Sequence, residues 1–355
     1  MATIIFENNL VPLKHVLDCL GLPTDRYERI VFDPNYDFSI SSQELTDHFY
    51  VQELAEFEWK KARRLKQDKG YMGKMALPEN INKPARTIMA TMSFSARESM
   101  ILSYVDGRYR APTIREVACL MSFPIYYRFY GDSVYTKYAL VGNAIPPKMA
   151  FAFAKAMSEK EGLSCQINHP PSKYLNSDPD FVNLNGAIIP IRKEKTKKDI
   201  SKFKYHIPYL KIDTYRVELS NHSSDFANKR FQWDVKIHKG QGPKAKVFTP
   251  ACLESWLPTE IAPKVKIFIA AKIEQISSAK KLQENFCLTD AEREFRKLAG
   301  PIELLLDVKS FLNSLQLNQN DCILIQIDDS SVKISKIIAI GYFALSEIVT
   351  QINRR

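Results

Sequence analysis

The stretch RAPTIREVACLMSFPIYYRFYGDSVYTKYALVGNAIPP, residues 110–147, has the clearest helix start and stop signals in the chain. Thr113 and Glu116 are spaced as a capping box, in which each side chain accepts a hydrogen bond from the other residue's backbone amide. Pro124 cannot continue a helix, so the helix that begins after Thr113 is predicted to end by Phe123.

The second half of this stretch predicts two more helices. Ser133 is a suitable N-cap for a helix that ends at Gly142. Pro146 and Pro147 suit the first turn of the next helix, where the missing amides would have no intrahelical partner anyway. That helix, KMAFAFAKAMSEK at residues 148–160, is apolar over most of its surface. We therefore expect it to pack against a larger body than the N-terminal half of the chain supplies.

Size and composition are those of a globular protein. The 355 residues can form two domains, with 45% hydrophobic and 25% charged residues. No apolar run approaches the roughly 20 residues that span a bilayer, and the N-terminus lacks a charged-then-apolar leader. The six cysteines are scattered and form no C-x-x-C pair. These features predict a cytoplasmic protein with reduced thiols and no metal site.

The net charge of +10 indicates a polyanionic partner. Much of the positive charge falls in two basic clusters. The first comprises Lys60, Lys61, Arg63, Arg64, Lys66, Lys69 and Lys74, and the second comprises Arg192, Lys193, Lys195, Lys197, Lys198, Lys202 and Lys204. A basic run by itself is equally consistent with a solvated surface and with nucleic-acid binding.

Three blocks of sequence resemble the closing motifs of DNA cytosine-5 methyltransferases. The first is Lys83-Pro84-Ala85-Arg86-Thr87-Ile88, which is similar to the strand that ends the target-recognition region in the family. The second is similar to the ninth motif of the family and comprises Arg110, Thr113, Arg115, Glu116, Ala118, Phe123 and Pro124. The third, Gly142-Asn143-Ala144-Ile145-Pro146-Pro147, is similar to the tenth motif, G-N-A/S-V-x-P. Their order and spacing over residues 83–158 match those of the family.

The resemblance implies an α/β fold: an incomplete Rossmann-like methyltransferase C-terminal part with a small target-recognition domain, followed by a separate α/β or α+β domain. It also divides the chain into five segments. They are a segment that follows the missing catalytic half (1–40), a target-recognition region (41–110), the ninth and tenth motifs (111–162), a basic linker (163–212) and a C-terminal α/β domain of unknown role (213–355).

The catalytic groups of the family are not found in the sequence. In the family, a cysteine in Pro-Cys-Gln attacks C6 of cytosine and a glutamate in Glu-Asn-Val supports N3, and neither tripeptide occurs here. The glycine-rich cofactor loop is also absent. The resemblance therefore implies the C-terminal half of a split enzyme, with no catalytic residue of its own. It would need a partner chain that carries the Pro-Cys-Gln and Glu-Asn-Val motifs.

The resemblance assigns part of the cofactor pocket to the tenth motif. Asn143, Ala144 and Ile145 would line the S-adenosylmethionine site of the completed enzyme, which the missing catalytic half would share. A glycine at position 142 lets backbone approach a ligand closely. The alternative is that GNAIPP is only a helix stop and restart.

Methylation within a duplex requires the target cytosine to be flipped out, so double-stranded DNA is the expected substrate. The family reads its site with the region equivalent to residues 41–110. Lysines and arginines of the first basic cluster would then contact phosphate, and two further arginines would contact guanine or phosphate; solvent exposure is the alternative for each. The phosphate candidates are Arg63, Arg64, Lys66, Lys69 and Lys74, and the other two are Arg86 and Arg97. Thr113, Arg115, Glu116 and Gly142 are predicted to be architectural.

The function expected from the resemblance is DNA target recognition for cytosine-5 methylation, in a restriction–modification system. One alternative is a DNA-binding protein without an enzymatic role. Another is a restriction nuclease in the C-terminal domain, because Asp234-Val235-Lys236 and Asp307-Val308-Lys309 are acid-x-lysine triplets at predicted strand ends.

Overall fold

The chain folds into two compact units. A computed structural model describes residues 11–68, 74–163, 180–240, 245–252, 254–327 and 330–355. The N-terminal unit is Met1–Lys66 with Met75–Lys193, and the C-terminal unit is Gln67–Lys74 with Glu194–Arg355.

The boundary between the units differs from the basic linker predicted at 163–212. Residues 180–193 belong to the N-terminal unit, residues 194–212 belong to the C-terminal unit, and residues 164–179 lie outside the described part of the chain. Within the first of these segments, Leu184 is buried in the N-terminal core. A composition rich in Pro, Asn and Lys therefore did not prevent packing here.

The N-terminal unit combines short helices with two small antiparallel sheets, β1–β2 and β3–β4. Its elements are α1 (Leu13–Leu20), β1 (Ile30–Asp33), β2 (Phe38–Ser41), α2 (Glu56–Gln67), β3 (Leu102–Ser103), β4 (Tyr109–Arg110), α3 (Ile114–Leu120), α4 (Val134–Asn143) and α5 (Pro147–Lys160). Leu13, Ile114, Val117 and Val141 lie in one core cluster that joins α1, α3 and α4.

Helix α3 begins where the capping box predicts. The Thr113 hydroxyl accepts from the Glu116 amide at 3.2 Å, and the Glu116 carboxylate accepts from the Thr113 amide at 2.7 Å. Glu116 also accepts two hydrogen bonds from the Arg110 guanidinium, at 2.8 and 2.7 Å, and both side chains are buried. Arg115 is buried too and donates to the Thr46 hydroxyl at 2.6 Å and to the Tyr127 carbonyl at 2.7 Å. The polar side chains of the ninth motif thus stabilise the interior of the N-terminal unit.

The C-terminal unit packs helices against a four-stranded antiparallel sheet with the order β5-β6-β7-β8. Its long last helix, α10, is buried along most of its length and contacts β6, β7, α6 and α9. The elements are β5 (Lys204–His206), β6 (Tyr215–Ser220), β7 (Asp234–Lys239), β8 (Lys246–Phe248), α6 (Ala262–Ile276), α7 (Ala279–Cys287), α8 (Asp290–Phe295), α9 (Pro301–Ser314), β9 (Cys322–Ile327), β10 (Ser330–Ser335) and α10 (Lys336–Arg354).

The predicted mixed α/β class is confirmed. Every strand pair within the described residues is antiparallel, so the C-terminal unit takes the α+β form of the two that were predicted. None of the described helices is long and apolar enough to cross a membrane.

A buried ion pair connects distant parts of the N-terminal unit. The Lys137 ammonium on α4 lies 2.8 Å from each carboxylate oxygen of Asp47, and both side chains are fully buried. Burial lowers the pKa of Lys137, but the hydrogen bonds to Asp47 oppose that shift. Asp47 also accepts from the Leu184 amide at 2.9 Å, and its carbonyl accepts from the Arg115 amide at 3.1 Å. Asp47 therefore ties together α4 and the segment around residue 184 through its carboxylate, and α3 through its backbone carbonyl.

We predict that Lys137→Met lowers the local stability of the N-terminal unit by about 3–5 kcal/mol, because it leaves the Asp47 carboxylate buried without a counter-charge. Amide hydrogen exchange of α3 and α4 in the full chain measures this loss. Lys155→Met is the matched control, since Lys155 pairs with Glu159 at 3.8 Å on the surface. It should cost less than about 1 kcal/mol. Equal protection in the two variants would contradict the structural role of the buried pair.

Acid should destabilise the same region through His48. This imidazole is fully buried beside the Thr113 hydroxyl, with Nδ1 3.3 Å from Oγ1. Burial lowers the pKa of His48 from 6.5 to about 4. The unfolded chain therefore takes up a proton first, and stability present above pH 6.5 is lost as the pH falls toward 4, by up to about 3 kcal/mol.

We predict that His48→Gln flattens this pH dependence, since the amide does not titrate. Hydrogen exchange of α3 amides between pH 6.5 and 4, corrected for intrinsic rates, measures the slope. His222→Gln, at an exposed position, is the control and should leave the slope of the parent protein unchanged. A slope that persists in His48→Gln would show that another group is responsible.

Candidate functional site

The Gly-Asn turn lies where α4 ends at Asn143, after which α5 begins at Pro147. The Ser133 hydroxyl caps α4 by accepting from the Thr136 amide at 3.2 Å. Gly142 lies in the last turn of α4, against the backbone of residues 89 and 90. A Cβ at position 142 would lie 2.4 Å from the Met89 carbonyl oxygen and 2.6 Å from the Ala90 Cα. The glycine is therefore required by a close approach within the protein.

This approach brings the three sequence blocks around one cavity. A cavity of about 810 Å³ has walls from all three: Pro84 to Ile88 from the first, Cys119 to Phe123 from the second, and Gly142, Ala144 and Pro146 from the third. The remaining walls come from α1 and from the β1–β2 hairpin. Its volume falls within the roughly 300–1,000 Å³ range of small-molecule pockets.

A few polar groups interrupt the apolar lining of the cavity. The Asp33 carboxylate accepts from the amides of Ile125 at 3.0 Å and Asn35 at 2.9 Å. Burial raises the pKa of Asp33, and these hydrogen bonds partly oppose the shift. The Ser122 hydroxyl accepts from the Lys148 amide at 3.1 Å, which fixes the start of α5 to the end of α3. These contacts give the cavity a rigid polar edge.

The three residues predicted to contact the cofactor do not share one environment. Ala144 lines the cavity, whereas Asn143 and Ile145 are exposed, Ile145 to 67%. The turn therefore presents an amide and an aliphatic side chain outward and a methyl group inward.

Helix α5 has no buried residue, although it is rich in large apolar side chains. Phe153 is 59% exposed and Met157 is 69% exposed, and Met149 and Phe151 are also exposed. Apolar side chains at this spacing cover much of the helix surface. This part of the molecule is therefore a bare apolar helix attached directly to the Gly-Asn turn.

The predicted phosphate contacts of the first basic cluster lie in different environments. The Arg63 guanidinium lies 4.7 Å from the Trp59 ring and donates to the Tyr109 hydroxyl at 2.6 Å. Arg64 is half-buried, Lys74 is exposed, and Lys69 lies outside the described residues.

Lys66 differs from this group because its side chain is fully buried. Its ammonium donates to the carbonyls of Arg97 at 2.7 Å and Ser99 at 2.5 Å. Burial lowers the pKa of Lys66 to about 8. These contacts give Lys66 a role in packing.

The two arginines expected to contact guanine or phosphate lie close to this buried lysine. Arg86 pairs with Glu79 at 2.6 Å and also donates to the Arg97 carbonyl at 3.3 Å. The side chains of Arg86 and Arg97 are each 14% exposed. The structure thus gathers Lys66, Arg86 and Arg97 in a cluster that is mostly buried.

Sequence patterns alone gave no sign of the groups that line the cavity from the N-terminal elements. His15, Asp33 and Asn35 line it, yet they lie outside the three motif blocks. The spacing of Leu13 and Leu20 in the sequence is typical of a helix with one buried face. It carried no information about which residues lie beside the Gly-Asn turn.

One of the two acid-x-lysine triplets lies at a strand end and the other lies in a helix. Asp307 lies within helix α9 and pairs with Lys272 at 2.5 Å, so its predicted strand-end position is wrong. Asp234 does begin a strand, β7. Among the described residues, no group of three or more His, Cys, Asp or Glu side chains could hold a metal ion.

Comparison with known proteins supports the resemblance seen in the motifs. Residues 25–159 match the model of the family described as C-5 cytosine-specific DNA methylase. The Type II methyltransferase M.AplI of Arthrospira platensis is 39% identical over 102 residues, which are 28% of this chain and 28% of that protein. The Type II methyltransferase M.AquIB of a Picosynechococcus species is 41% identical over 61 residues, 14% of this chain and 44% of that protein.

A third relative is the Type II methyltransferase M.FnuDI of Fusobacterium nucleatum, 41% identical over 54 residues, 15% of this chain and 16% of that protein. The chain thus spans less than half the length of each of these three relatives. No solved structure matches the chain. Residues 25–159 include all three motif blocks, so the resemblance to the family is confirmed for this segment.

We predict that Gly142→Ala destabilises the site by about 3 kcal/mol, because a methyl group there meets backbone atoms that cannot rotate away. Hydrogen exchange of amides in residues 85–92 reports the loss. Gly162→Ala is the control: its Cβ would meet nothing within 4 Å, although its φ of +69° adds about 1 kcal/mol of backbone strain. Unchanged exchange of residues 85–92 in Gly142→Ala would contradict the close approach.

Proposed function

We propose that this chain supplies DNA target recognition and part of the cofactor pocket of a DNA (cytosine-5)-methyltransferase. The match of residues 25–159 to the C-5 cytosine-specific DNA methylases supports this proposal. In this proposal the cysteine nucleophile and the N3-supporting glutamate come from a separate catalytic polypeptide. The three motif blocks line one cavity, which supports the family assignment. The relatives are named Type II methyltransferases, which favours a restriction–modification system.

The observation that carries the partner proposal is the bare apolar helix α5. Burying a Phe or Met side chain is worth about 1.5–3 kcal/mol, so four such side chains left in water are a strong drive for association. The helix is joined to the Gly-Asn turn through Pro146 and Pro147. A catalytic chain that covers α5 would therefore be brought to the same turn.

The length of one relative, M.AquIB, is also compatible with a divided enzyme. Since 61 residues make up 44% of M.AquIB, that protein is much shorter than the present chain. A segment of this family thus occurs in a short chain.

The residues of the turn fit one wall of an S-adenosylmethionine site. Asn143 offers both hydrogen-bond donors and acceptors, and Ile145 offers an exposed apolar surface for the adenosyl group. When bound, S-adenosylmethionine supplies the methyl group. In our proposal the rest of its site, including the groups that hold its polar parts, comes from the catalytic chain. Ala144 would fix the depth of the turn from the cavity side.

For the DNA surface we propose Arg63 and Arg64 on α2 as phosphate contacts of the target-recognition region. The Trp59 ring and the Tyr109 hydroxyl hold the Arg63 guanidinium in a fixed place, which reduces the entropy lost on binding. Lys66 is left out, because its ammonium is already occupied by two carbonyl groups. Lys69, Lys74, Arg86 and Arg97 remain predictions.

The test is methyl transfer to DNA by the chain alone and after co-expression with the product of the adjacent upstream reading frame, provided that it encodes Pro-Cys-Gln and Glu-Asn-Val. We expect no transfer by the chain alone and transfer by the pair. Phe153→Ser with Met157→Ser should lower the activity of the pair by at least about tenfold, since each loses roughly 2 kcal/mol of buried apolar surface. Phe295→Ser in the C-terminal unit, 89% exposed, is the matched control and should leave activity unchanged.

Methyl transfer by the purified chain alone would overturn the need for a catalytic partner. If the pair methylates no DNA but the chain still binds duplex DNA, the alternative of a non-catalytic DNA-binding protein is favoured. If the α5 variants and the control have equal activity with the partner, α5 is not the docking helix.

A further inference from the structure

The net positive charge of the chain is concentrated in one part of the C-terminal unit. Residues 194–250, which include the four-stranded sheet, contain 13 Lys and Arg against 6 Asp and Glu. Residues 251–355, which include the helices α6 to α10, contain 13 of each kind. The charge excess therefore belongs to the sheet half of this unit and lies outside the segment that matches the methylase family.

Most of this excess is on the surface. Among the described residues of 194–250, nine basic side chains are exposed: Lys195, Lys197, Lys198, Lys202, Lys204, Lys229, Arg230, Lys239 and Lys246. The exposed acidic side chains in the same part are Asp199, Asp213 and Asp225.

Two acidic residues of this region, the buried Glu218 and the exposed Asp225, have hydrogen-bond or ion-pair partners within the unit. Glu218 is nearly buried and lies 3.1 Å from His238 and 3.4 Å from Lys204. Burial raises the pKa of Glu218, but the hydrogen bond from His238 and the nearby charges outweigh it, so the net shift is downward. The Asp225 carboxylate accepts from the Asn228 side chain at 2.7 Å within its own turn. The nine exposed cations thus outnumber the three exposed carboxylates, although Lys229 pairs with one of them, Asp199.

Five of the exposed cations lie around one end of the sheet, where β6 ends and β7 begins. Lys204 on β5 is paired in register with Ser220, the last residue of β6. The next residue, Asn221, donates to the Ser201 carbonyl at 3.1 Å and accepts from the Phe203 amide at 2.6 Å. Lys229, in the connection to β7, lies 3.5 Å from Asp199. We name this surface the basic end: Lys198, Lys202, Lys204, Lys229 and Arg230.

We propose that the basic end is a second DNA-binding surface, which holds the phosphate backbone of duplex DNA without reading its sequence. Lysines that reach phosphates and release counterions supply affinity that depends on salt and not on base identity. The choice of DNA among polyanions rests on the proposed function. In that function the contact would keep the chain on DNA while the N-terminal unit and its partner act at the site.

The test uses the full chain and a fluorescent duplex in an anisotropy titration from 50 to 200 mM salt. The variant is Lys198→Gln with Lys202→Gln and Arg230→Gln, three members of the basic end outside the two ion pairs above. We expect the slope of log K against log salt to fall in magnitude by about two to three, roughly one for each lost phosphate contact. Affinity at the lowest salt should fall roughly tenfold.

The matched control is Lys264→Gln with Arg296→Gln and Lys333→Gln. It removes the same charge from exposed positions in the balanced half of the unit and should bind like the parent chain. Equal slopes for the two triple variants would overturn the proposal, and so would tighter binding to phosphatidylserine vesicles than to duplex DNA at the same salt. The binding measurement does not require methylation, so its result can be interpreted even if the methyl-transfer assay fails.

Discussion

The carboxylate of Asp47 is the point on which the arrangement of the N-terminal unit depends. It accepts from the Lys137 ammonium on α4 and from the Leu184 amide, and its own carbonyl accepts from α3. Lys137 donates in turn to the Val182 carbonyl. A buried charge without these partners would cost several kcal/mol, so the three segments must come together for any one of them to be stable. Because α4 carries the Gly-Asn turn, the ion pair also sets the position of that turn.

Helix α5, which follows the Gly-Asn turn, forms a surface that the core of the N-terminal unit does not cover. Gly142 allows residues 89 and 90 to approach α4, which closes one side of the cavity. The Ser122 hydroxyl then anchors the first turn of α5. The helix is held at its start but is buried at no residue along its length. A rigid attachment combined with an exposed apolar surface is the arrangement expected of a preorganised docking element, since little entropy is lost when a partner binds.

The sequence predicted local features well and nonlocal ones poorly, for a physical reason. Capping by Thr113, the stop at Pro124 and the restart at Pro147 depend on residues within one helical turn, so their chemistry is visible in the sequence. The pairing of Asp47 with Lys137 spans 90 residues and leaves no local pattern. The burial of Lys66 depends on carbonyl groups at 97 and 99, so a basic run at residues 60–74 could not show which cations face water. The apolar surface of α5 was predicted, and its exposure follows from the absence of covering residues within the described part of its unit.

The difference between a basic sequence and a basic surface underlies the division of DNA binding that we propose for the two units. In the N-terminal unit, Lys66 and Arg86 donate their hydrogen bonds to backbone carbonyls and to Glu79. They therefore contribute more to packing and to the specificity of the fold than to the surface potential. In residues 194–250 Glu218 is buried, and nine exposed basic side chains outnumber three exposed acidic ones. Long-range attraction to phosphate depends on the exposed charge. In the function that we propose, this attraction would come mainly from the C-terminal unit, and the segment that matches the methylase family would supply the shorter-range contacts that discriminate between sites.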